Sequence, residues 1–435
     1  MRDALPVAAA SDSRTPCAIP GTPLAEAAAG IDACVHCGFC LQACPTYLAL
    51  EDENDSPRGR LVLMRGLLDG AVMLTDPLVQ QHMDRCLGCR GCETACPSGV
   101  PYGQLLEATR ATMRAATAPT FVSRVILRTF ASRPLLALAL FAGRVVRALG
   151  LPPRLAHLPG RIGSGMAMLA STRRVLNAGG YAVTQTPTRN SVTLLRGCVM
   201  QGLQAATNAA TERTLAMNGY RVVQTSSQGC CGALHAHAGD LATARALAKA
   251  NIAAFEQTPD ALIAVNAAGC GAMLKEYKHL LHDDQRWQAR AAAVSARTRD
   301  ATELLAEAGP KPASLKAPVR VTYDAPCHLQ HAQRLTSPPL NVLDAIGNLT
   351  RVPLDDSDQC CGSAGIYNLI APDVSDAVLA PKLRNIAATG ATLVVTGNPG
   401  CLMQIGAGLL RHGSEVRVVH PIDLLDAAYA AEEGS

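Results

Sequence analysis

Eight cysteines in the first hundred residues form two copies of one pattern, C-x2-C-x2-C-x3-C-P. The first copy consists of Cys34, Cys37, Cys40 and Cys44 before Pro45, and the second of Cys86, Cys89, Cys92 and Cys96 before Pro97. Three thiolates at steps of three can surround three irons of one [4Fe-4S] cluster, whereas the fourth, after a longer step, points to the other cluster. We therefore predict a crossed arrangement in which one cluster is held by Cys34, Cys37, Cys40 and Cys96, and the other by Cys86, Cys89, Cys92 and Cys44.

Zinc is the alternative occupant of such cysteines, because tetrahedral zinc sites also use C-x2-C pairs. Zinc usually takes two separated pairs, however, and here four cysteines fall within eleven residues, twice. Gly38, Gly88 and Gly91 suit a backbone that turns its N-H groups toward sulfide. Crossed ligation would hold the clusters close together, so that they act as a wire, although a structural, redox-silent pair also fits the motif.

The second half of the chain contains a different cysteine pattern, which also occurs twice. Its intervals are 32 and 40 residues in the first copy and 33 and 41 in the second, and each adjacent pair is followed by glycine. Each copy offers four thiols that can bind a further cluster or metal, namely Cys198, Cys230, Cys231 and Cys270, then Cys327, Cys360, Cys361 and Cys401. Free cysteine is also a common small core residue, and this alternative stays open. The flanking His235, His237, His328 and His331 are expected to be loop hydrogen-bonding residues and not ligands.

The elements around the repeated cysteines have the pattern of a parallel sheet. Short apolar runs such as SVTLLRG and VRVTYDA alternate with Ala-rich helical stretches such as DLATARALAKANIAAFEQ, as βαβ units do. The predicted fold is α+β and multidomain, with a helical ferredoxin-like two-cluster domain before two duplicated α/β domains. The predicted divisions are a disordered leader (1–25), the two-cluster domain (26–116), a basic helical connector (117–190) and the two repeats (191–310 and 318–432).

Composition and charge restrict the class of protein. Seventeen cysteines without an apparent secretory signal indicate metal binding in a reducing compartment, and 3% aromatic residues argue against a platform for single-stranded nucleic acid. No acidic residue lies between Glu107 and Glu212, whereas thirteen arginines do. This stretch favours peripheral contact with an anionic membrane or an acidic partner, or forms a solvated connector. The apolar run Pro134 to Gly143 is too short for a bilayer that needs about 20 residues, so we expect no transmembrane helix.

Several runs together resemble the iron-sulfur subunit of bacterial glycolate oxidase, over nearly the whole chain. These runs are DACVHCGFCLQACPTY, SPRGR, RCLGCRGCETACPSGV, GCCGALHAH, GCGAMLKEY, PCHLQHAQRL and CCGSAGIYNL. The wider family includes iron-sulfur subunits of lactate utilisation and anaerobic glycerol-3-phosphate dehydrogenases, and the Cys-Cys-Gly subunit of heterodisulfide reductase. In that last relative each repeat ends in C-x2-C, whereas Met273 and Gln404 stand at the final positions here.

The resemblance implies an electron-transfer subunit with no catalytic residues of its own for substrate oxidation. FAD on partner glycolate oxidase subunits would oxidise glycolate, or D-lactate, and this chain would relay electrons to a membrane acceptor such as quinone. It implies peripheral location at the cytoplasmic face of the inner membrane. The alternatives are a subunit of a lactate or glycerol-3-phosphate dehydrogenase, a catalytic subunit like heterodisulfide reductase, and a zinc-stabilised scaffold.

Overall fold

The computed structural model describes residues 17–176, 180–183 and 185–433. Residues 1–16 of the predicted leader lie outside this part of the chain, while residues 17–25 contact the N-terminal domain, where Leu24 is fully buried. The N-terminal domain is helical, and its cysteines lie mainly in loops. Its helices are α1 (Pro23–Glu26), α2 (Ala29–Asp32), α3 (Pro45–Leu50), α4 (Pro57–Asp69), α5 (Pro77–Asp84), α6 (Gly91–Ala95) and α7 (Tyr102–Ala116).

Local sequence determines where these helices begin. Helix α4 starts with Pro57, and the Ser56 hydroxyl before it accepts a hydrogen bond from the Gly59 amide at 2.9 Å, so a free N-H group of the first turn is satisfied. Pro45 begins α3 directly after Cys44. Since proline lacks an N-H group, Pro45 leaves no unsatisfied donor at the first position of this helix. Helices α4, α5 and α7 enclose a core that includes Met64, Met83 and Leu105.

The acid-free connector is helical. It contains α8 (Phe121–Ala131), α9 (Arg133–Ala148), α10 (Leu151–Leu155) and α11 (Gly160–Ser171). Helix α11 packs through Ala167 against Ala407 of the second repeat, whereas α9 has no buried residue. Within the described residues no single helix is long and apolar enough to cross a bilayer, although α8 and α9 together, bent by 103°, meet that test by length and composition.

The two repeats fold alike. The first contains β1 (Ser191–Leu194), α12 (Val199–Leu203), α13 (Ala205–Met217), β2 (Arg221–Val223), α14 (Ala233–His237), α15 (Leu241–Phe255), β3 (Leu262–Val265), α16 (Ala268–Lys275), α17 (Tyr277–Leu280), α18 (Gln288–Arg297), β4 (Thr298–Asp300) and α19 (Ala301–Ala308). The second contains β5 (Ala313–Tyr323), α20 (Ser337–Asp344), β6 (Ile346–Val352), α21 (Tyr367–Ile370), α22 (Pro372–Thr389), β7 (Leu393–Val395), α23 (Pro399–Arg411), β8 (Arg417–Val419) and α24 (Pro421–Glu433).

Each repeat builds a four-stranded parallel sheet, and the strand orders correspond, β2-β1-β3-β4 and β6-β5-β7-β8. The predicted fold class is therefore confirmed. One face of both sheets contributes to a single shared core that includes Val192 of β1 and Val321 of β5. The opposite face of each sheet has a core of its own, around Ile263 in the first repeat and Val394 in the second. The parallel arrangement brings the loops after β1, β3, β5 and β7 to corresponding edges of the sheets.

A buried ion pair supports the loop region of the second repeat. Lys382 Nζ lies 2.6 Å from Asp324 Oδ1, both side chains are 2% exposed, and Nζ also donates to the carbonyl oxygens of Asp356 and Ser357. We predict that Lys382→Met lowers the free energy of unfolding by about 3–5 kcal/mol, because it leaves the Asp324 carboxylate buried without a cation, with only the Thr396 hydroxyl as hydrogen-bond donor. Urea unfolding measures the change.

Arg351→Met is the matched control, because the pair of Arg351 with Asp344 is largely exposed and contributes at most about 1 kcal/mol. Equal effects of the two substitutions would show that the buried pair does not support the fold.

Candidate metal centres

The first group of cysteines lines a small cavity in the N-terminal domain. Its walls include Cys34, Cys37, Cys40 and Cys96, with Cys92 nearby. The loop between the first three cysteines turns at Gly38, where φ is +84°, a conformation that glycine adopts at little cost. The structure thus brings the last cysteine of the second motif to the first three of the first motif.

The second group lies deeper in the same domain. Cys44, Cys86 and Cys92 are buried, and Tyr102 donates its hydroxyl to Cys86 Sγ at 3.8 Å. Burial raises the pKa of the Cys44 thiol, with smaller contributions from Cys89 and Cys86 in the same direction. Burial also raises the pKa of Cys92 well above its ordinary value, and Cys89, Cys86 and Cys44 raise it further. These four thiols are therefore close enough to interact electrostatically.

The donor chemistry of both groups fits iron-sulfur clusters. Thiolates are the ligands of iron in such clusters, yet burial next to other thiols disfavours the thiolate form. A metal cation removes this penalty, because it stabilises each bound sulfur as thiolate. Clustered buried thiols are therefore unfavourable in the thiolate form when no metal is bound. They are well suited to a metal cluster that needs four ligands.

A buried arginine, Arg60, lies near Cys44 of the second group. The Arg60 side chain is fully buried, and its Nη2 lies 3.0 Å from Asp55 Oδ1, while Nε donates to the carbonyl of His82 at 2.7 Å. After the dominant effect of burial, Arg60 acts against the raised pKa of Cys44. Asp55 is paired a second time, with Arg85 at 2.8 Å. The positive charge of Arg60 favours the thiolate form of Cys44. Arg60 therefore connects the SPRGR motif with the second cysteine group.

The first Cys-Cys-Gly group forms a continuous line of thiols. Neighbouring thiols lie close enough to change one another's pKa, Cys198 with Cys230, Cys230 with Cys231, and Cys231 with Cys270. The contact with Cys230, then that with Cys270 and burial, raise the pKa of Cys231 well above its ordinary value. Asn251 holds the loop by donating to the carbonyl of Cys230 at 2.8 Å. The predicted set is therefore assembled from three separate loops and helix starts.

The second Cys-Cys-Gly group repeats this arrangement. Contacts join Cys327 to Cys360, Cys360 to Cys361, and Cys361 to Cys401. Gly362 follows the pair with φ of +83°, and a Cβ atom there would lie 2.6 Å from the carbonyl oxygen of Ser375. Only glycine fits this position, which explains the third residue of the Cys-Cys-Gly signature.

Met273 and Gln404 occupy the positions at which a C-x2-C ending would place the last cysteine of each repeat. Their side chains have different surroundings. Met273 is buried in the core on one face of the first sheet. Gln404 is also buried, and it donates to Ser375 Oγ at 2.9 Å while accepting from Asn368 at 2.8 Å. Both side chains are engaged in packing or hydrogen bonds, so each repeat offers four thiols.

The histidines near the repeats connect parts of the chain. His235 Nε2 lies 3.0 Å from the carbonyl of Leu127, and His237 Nδ1 lies 2.9 Å from Glu107 Oε1. His331 Nδ1 lies 2.7 Å from Thr94 Oγ1. His328 is half-buried, and loss of hydration around the ring lowers its pKa to about 3. In three of the four cases the partner lies on another element.

The second ferredoxin group and the second repeat are in direct contact. Cys89 packs against a small apolar cluster that contains Leu87, Cys360 and Tyr367. Arg90, next to Cys89, forms an ion pair with Glu276 of the first repeat. The two repeats and the N-terminal domain therefore meet at the Cys89 loop.

Sequence reasoning missed Arg60, Asp55 and the contact between Cys89 and Cys360. The run SPRGR pointed to Arg60 without indicating its burial. No local sequence pattern predicts the contact between Cys89 and Cys360, because this contact depends on how separate domains pack.

Comparison with known proteins agrees with this geometry. A 4Fe-4S dicluster domain model matches residues 30–100, and a cysteine-rich domain model matches residues 192–275 and 321–406. A probable glycolate oxidase iron-sulfur subunit of Bacillus subtilis is 37% identical, over 90% of this chain and 92% of the relative. The glycolate oxidase iron-sulfur subunit of Escherichia coli is 36% identical, over 90% and 94%. Lactate utilization protein A of an Exiguobacterium species is 30% identical over 54% of this chain and 97% of its own length. The prediction of [4Fe-4S] clusters is thereby confirmed.

We predict that Cys96→Ser and Cys34→Ser abolish the same paramagnetic signal of the reduced, anaerobically purified chain, because both line the first cavity. Cys86→Ser should abolish the other signal. The wild-type protein should contain at least about eight irons per chain, the content of two cubane clusters.

Cys17→Ser is the matched control, since Cys17 is exposed and belongs to neither motif. If Cys96→Ser and Cys86→Ser give the same spectrum, the crossed arrangement is wrong.

Proposed function

Because this chain belongs to the family of glycolate oxidase iron-sulfur subunits, we propose that it carries electrons from glycolate, oxidised on a partner FAD subunit, to a membrane quinone. Oxidation of glycolate to glyoxylate releases two electrons and two protons. When bound, each cluster accepts and releases one electron at a time. The chain itself supplies the ligands, the spacing between them and the docking surfaces.

In this proposal Cys34, Cys37, Cys40 and Cys96 hold one cluster, and Cys44, Cys86, Cys89 and Cys92 the other. The observation that carries the electron-transfer role is the proximity of the cysteine groups. Cys92, of the second group, also lines the first cavity, and Cys89 touches Cys360 of the second repeat. A series of groups in contact suits stepwise electron transfer.

The Cys-Cys-Gly groups are further candidate metal sites within the same proposal. Each consists of four neighbouring thiols, and in the second repeat the Cys89 loop lies beside Cys360, the second of the four. Iron well above about eight per chain, lost on substitution of Cys361 or Cys231 by serine, would assign a further cluster to them.

The connector supports a peripheral place on a membrane, at the cytoplasmic face in our proposal. Several of its large apolar side chains are exposed, Phe121 at 76% and Leu138 at 65% among them, and they alternate with arginines. An apolar and basic surface of this kind binds at the boundary of anionic lipids. We call the exposed faces of α8 and α9 the connector surface.

The identity of the hydroxy-acid substrate is tested with the complex of this chain and the flavoprotein that co-purifies with it. We predict that glycolate reduces the clusters of the complex, and that the isolated chain is not reduced, because the oxidation chemistry belongs to the FAD subunit. Anaerobic optical spectra of complex and isolated chain measure this. D-lactate in place of glycolate tests the alternative substrate, and reduction by lactate alone would overturn the glycolate assignment.

We predict that Arg124→Glu with Arg128→Glu lowers binding to anionic vesicles at least about tenfold, since each cation near the surface contributes about 1 kcal/mol. High salt should also weaken binding of the wild type, because it screens these charges. Sedimentation with vesicles measures both effects.

Arg245→Glu is the control, because Arg245 lies on α15 in the first repeat and pairs with Asp283. Equal binding of the connector variant and the wild type would mean that the connector surface serves a protein partner.

A further inference from the structure

A cavity of about 510 Å³ lies between the connector and both repeats. Its walls come from α9, the end of α11 and the residues after it, the start of α13, β8 and the start of α24. Four arginines line it, against a single carboxylate, namely Arg144, Arg147, Arg173 and Arg174 against Asp423. Pockets for small ligands commonly measure about 300–1,000 Å³. The cavity therefore has room for a ligand and carries an excess of positive charge.

Three of these arginines repel one another. Burial, and then the charges of Arg144 and Arg173, lower the pKa of Arg147. Arg147 Nη1 donates only to neutral oxygens, those of Thr172 and Leu203, at 2.9 to 3.1 Å. Within the described part of the chain, the side chains of Arg144 and Arg173 make neither a hydrogen bond nor an ion pair. No carboxylate among the described residues therefore offsets these three charges.

The other polar groups of the lining leave this excess in place. Asp423 accepts a hydrogen bond from Thr207 at 3.0 Å, and burial raises its pKa to about 6, an effect that Arg174 partly opposes. Burial lowers the pKa of His420 to about 4, so its ring is uncharged at pH 7. Helix α13 also begins in the wall of the cavity, at Ala205, without a side-chain cap. A helix start adds a partial positive charge, so the whole lining favours an anion.

A phosphate group fits this arrangement better than a carboxylate does. It carries up to about two negative charges and up to three terminal oxygens, and arginine binds such oxygens in pairs. A carboxylate has one charge and two oxygens, which a single arginine can satisfy. Three arginines that act on one another at one cavity therefore indicate a phosphate.

The cavity adjoins the connector surface. Helix α9 supplies Arg144 and Arg147 to the cavity, and it also presents Phe141 and Val145, with Leu149 directly after it, as exposed apolar side chains. These three residues are four positions apart, so they share one face of the helix. An acyl chain can lie along this row while its phosphate enters the cavity.

From this geometry we propose that the cavity binds the phosphate group of an anionic phospholipid or of a soluble phosphate compound, with Arg144, Arg147 and Arg173 as its cations. The site takes no part in electron transfer. Its lipid source rests on the membrane contact proposed above, whereas the phosphate site itself does not. In contrast to a diffuse basic surface, such a site binds saturably and distinguishes phosphate from carboxylate.

The first test is titration calorimetry of the anaerobic, cluster-loaded chain at constant ionic strength. The probes are inorganic phosphate, dihexanoylphosphatidic acid below its micelle concentration, and glycolate. We expect saturable binding of both phosphates, and at least about tenfold weaker binding of glycolate. Tighter binding of the lipid than of inorganic phosphate assigns a lipid source, because acyl chains add apolar contact. Equal or weaker binding of the lipid assigns a soluble phosphate compound. Glycolate that binds as tightly as phosphate would overturn the proposal.

The second test compares two double variants. Arg144→Gln with Arg173→Gln should weaken binding of both phosphate probes at least about tenfold, because charge-assisted hydrogen bonds are lost. Arg154→Gln with Arg221→Gln is the matched control, since it removes the same charge at two exposed arginines outside the cavity. Equal losses in both double variants would mean a general effect of net charge. That result, or unchanged affinity in the cavity variant, would show that the assignment is wrong.

The melting temperature separates ligand binding from a structural role. In the absence of ligand, Arg144→Gln with Arg173→Gln should leave it unchanged or raise it, because repulsion around Arg147 is removed. Phosphate should raise the melting temperature of the wild type and not that of this variant. A marked drop in the ligand-free variant would assign these arginines to the fold and refute the site.

Binding to anionic vesicles distinguishes this proposal from the membrane contact of the connector. If the cavity variant binds phosphate and vesicles as the wild type does, while Arg124→Glu with Arg128→Glu does not bind vesicles, the cavity assignment fails and the membrane contact stands. If the wild type binds phosphate through the cavity but does not bind vesicles, the phosphate site stands and the membrane contact fails.

Discussion

The packing of Cys89 beside Cys360 in one small apolar cluster lies at the centre of the junction between the N-terminal domain and the second repeat. It joins a loop of the N-terminal domain to the Cys-Cys-Gly loop of the second repeat, and nearby bonds serve the same junction. The His331 ring contacts Thr94, and Arg90 pairs with Glu276. Electron transfer requires short distances between redox groups, so a domain interface placed at the cysteines themselves meets a functional need as well as a structural one.

That junction is also electrostatically costly. Like charges on neighbouring buried thiolates repel each other, and the raised pKa of Cys92 and Cys361 shows how strongly burial and neighbouring thiols disfavour ionisation. Metal binding is the physical means of holding such groups as thiolates, and it couples the order of the loops to the cofactor. The positive charge of Arg60 gives a second, smaller stabilisation, because it favours the thiolate form of Cys44.

The parts of this arrangement that sequence could predict are those with local or repeated signals. The longer step before Cys96 predicted its place beside the first group, whose cavity it lines, and the duplicated intervals around Cys231 and Cys361 indicated two equivalent domains. The strands were expected from apolar runs alternating with helical stretches, and the parallel sheets confirm that reasoning. The core shared by the two sheets and the burial of Arg60 depend on contacts between distant segments. No window of sequence contains that information.

The Tyr367 hydroxyl illustrates why such a feature is informative once the structure is known. A phenylalanine would fill the same apolar cluster without the cost of an unpaired buried donor, so stability alone does not account for tyrosine at this position. The same reasoning applies to the connector, where Phe121 and Leu138 remain exposed although α11 packs its small residues against the second repeat. Exposed apolar side chains next to arginines are unfavourable in water, and contact with anionic lipids would remove that cost.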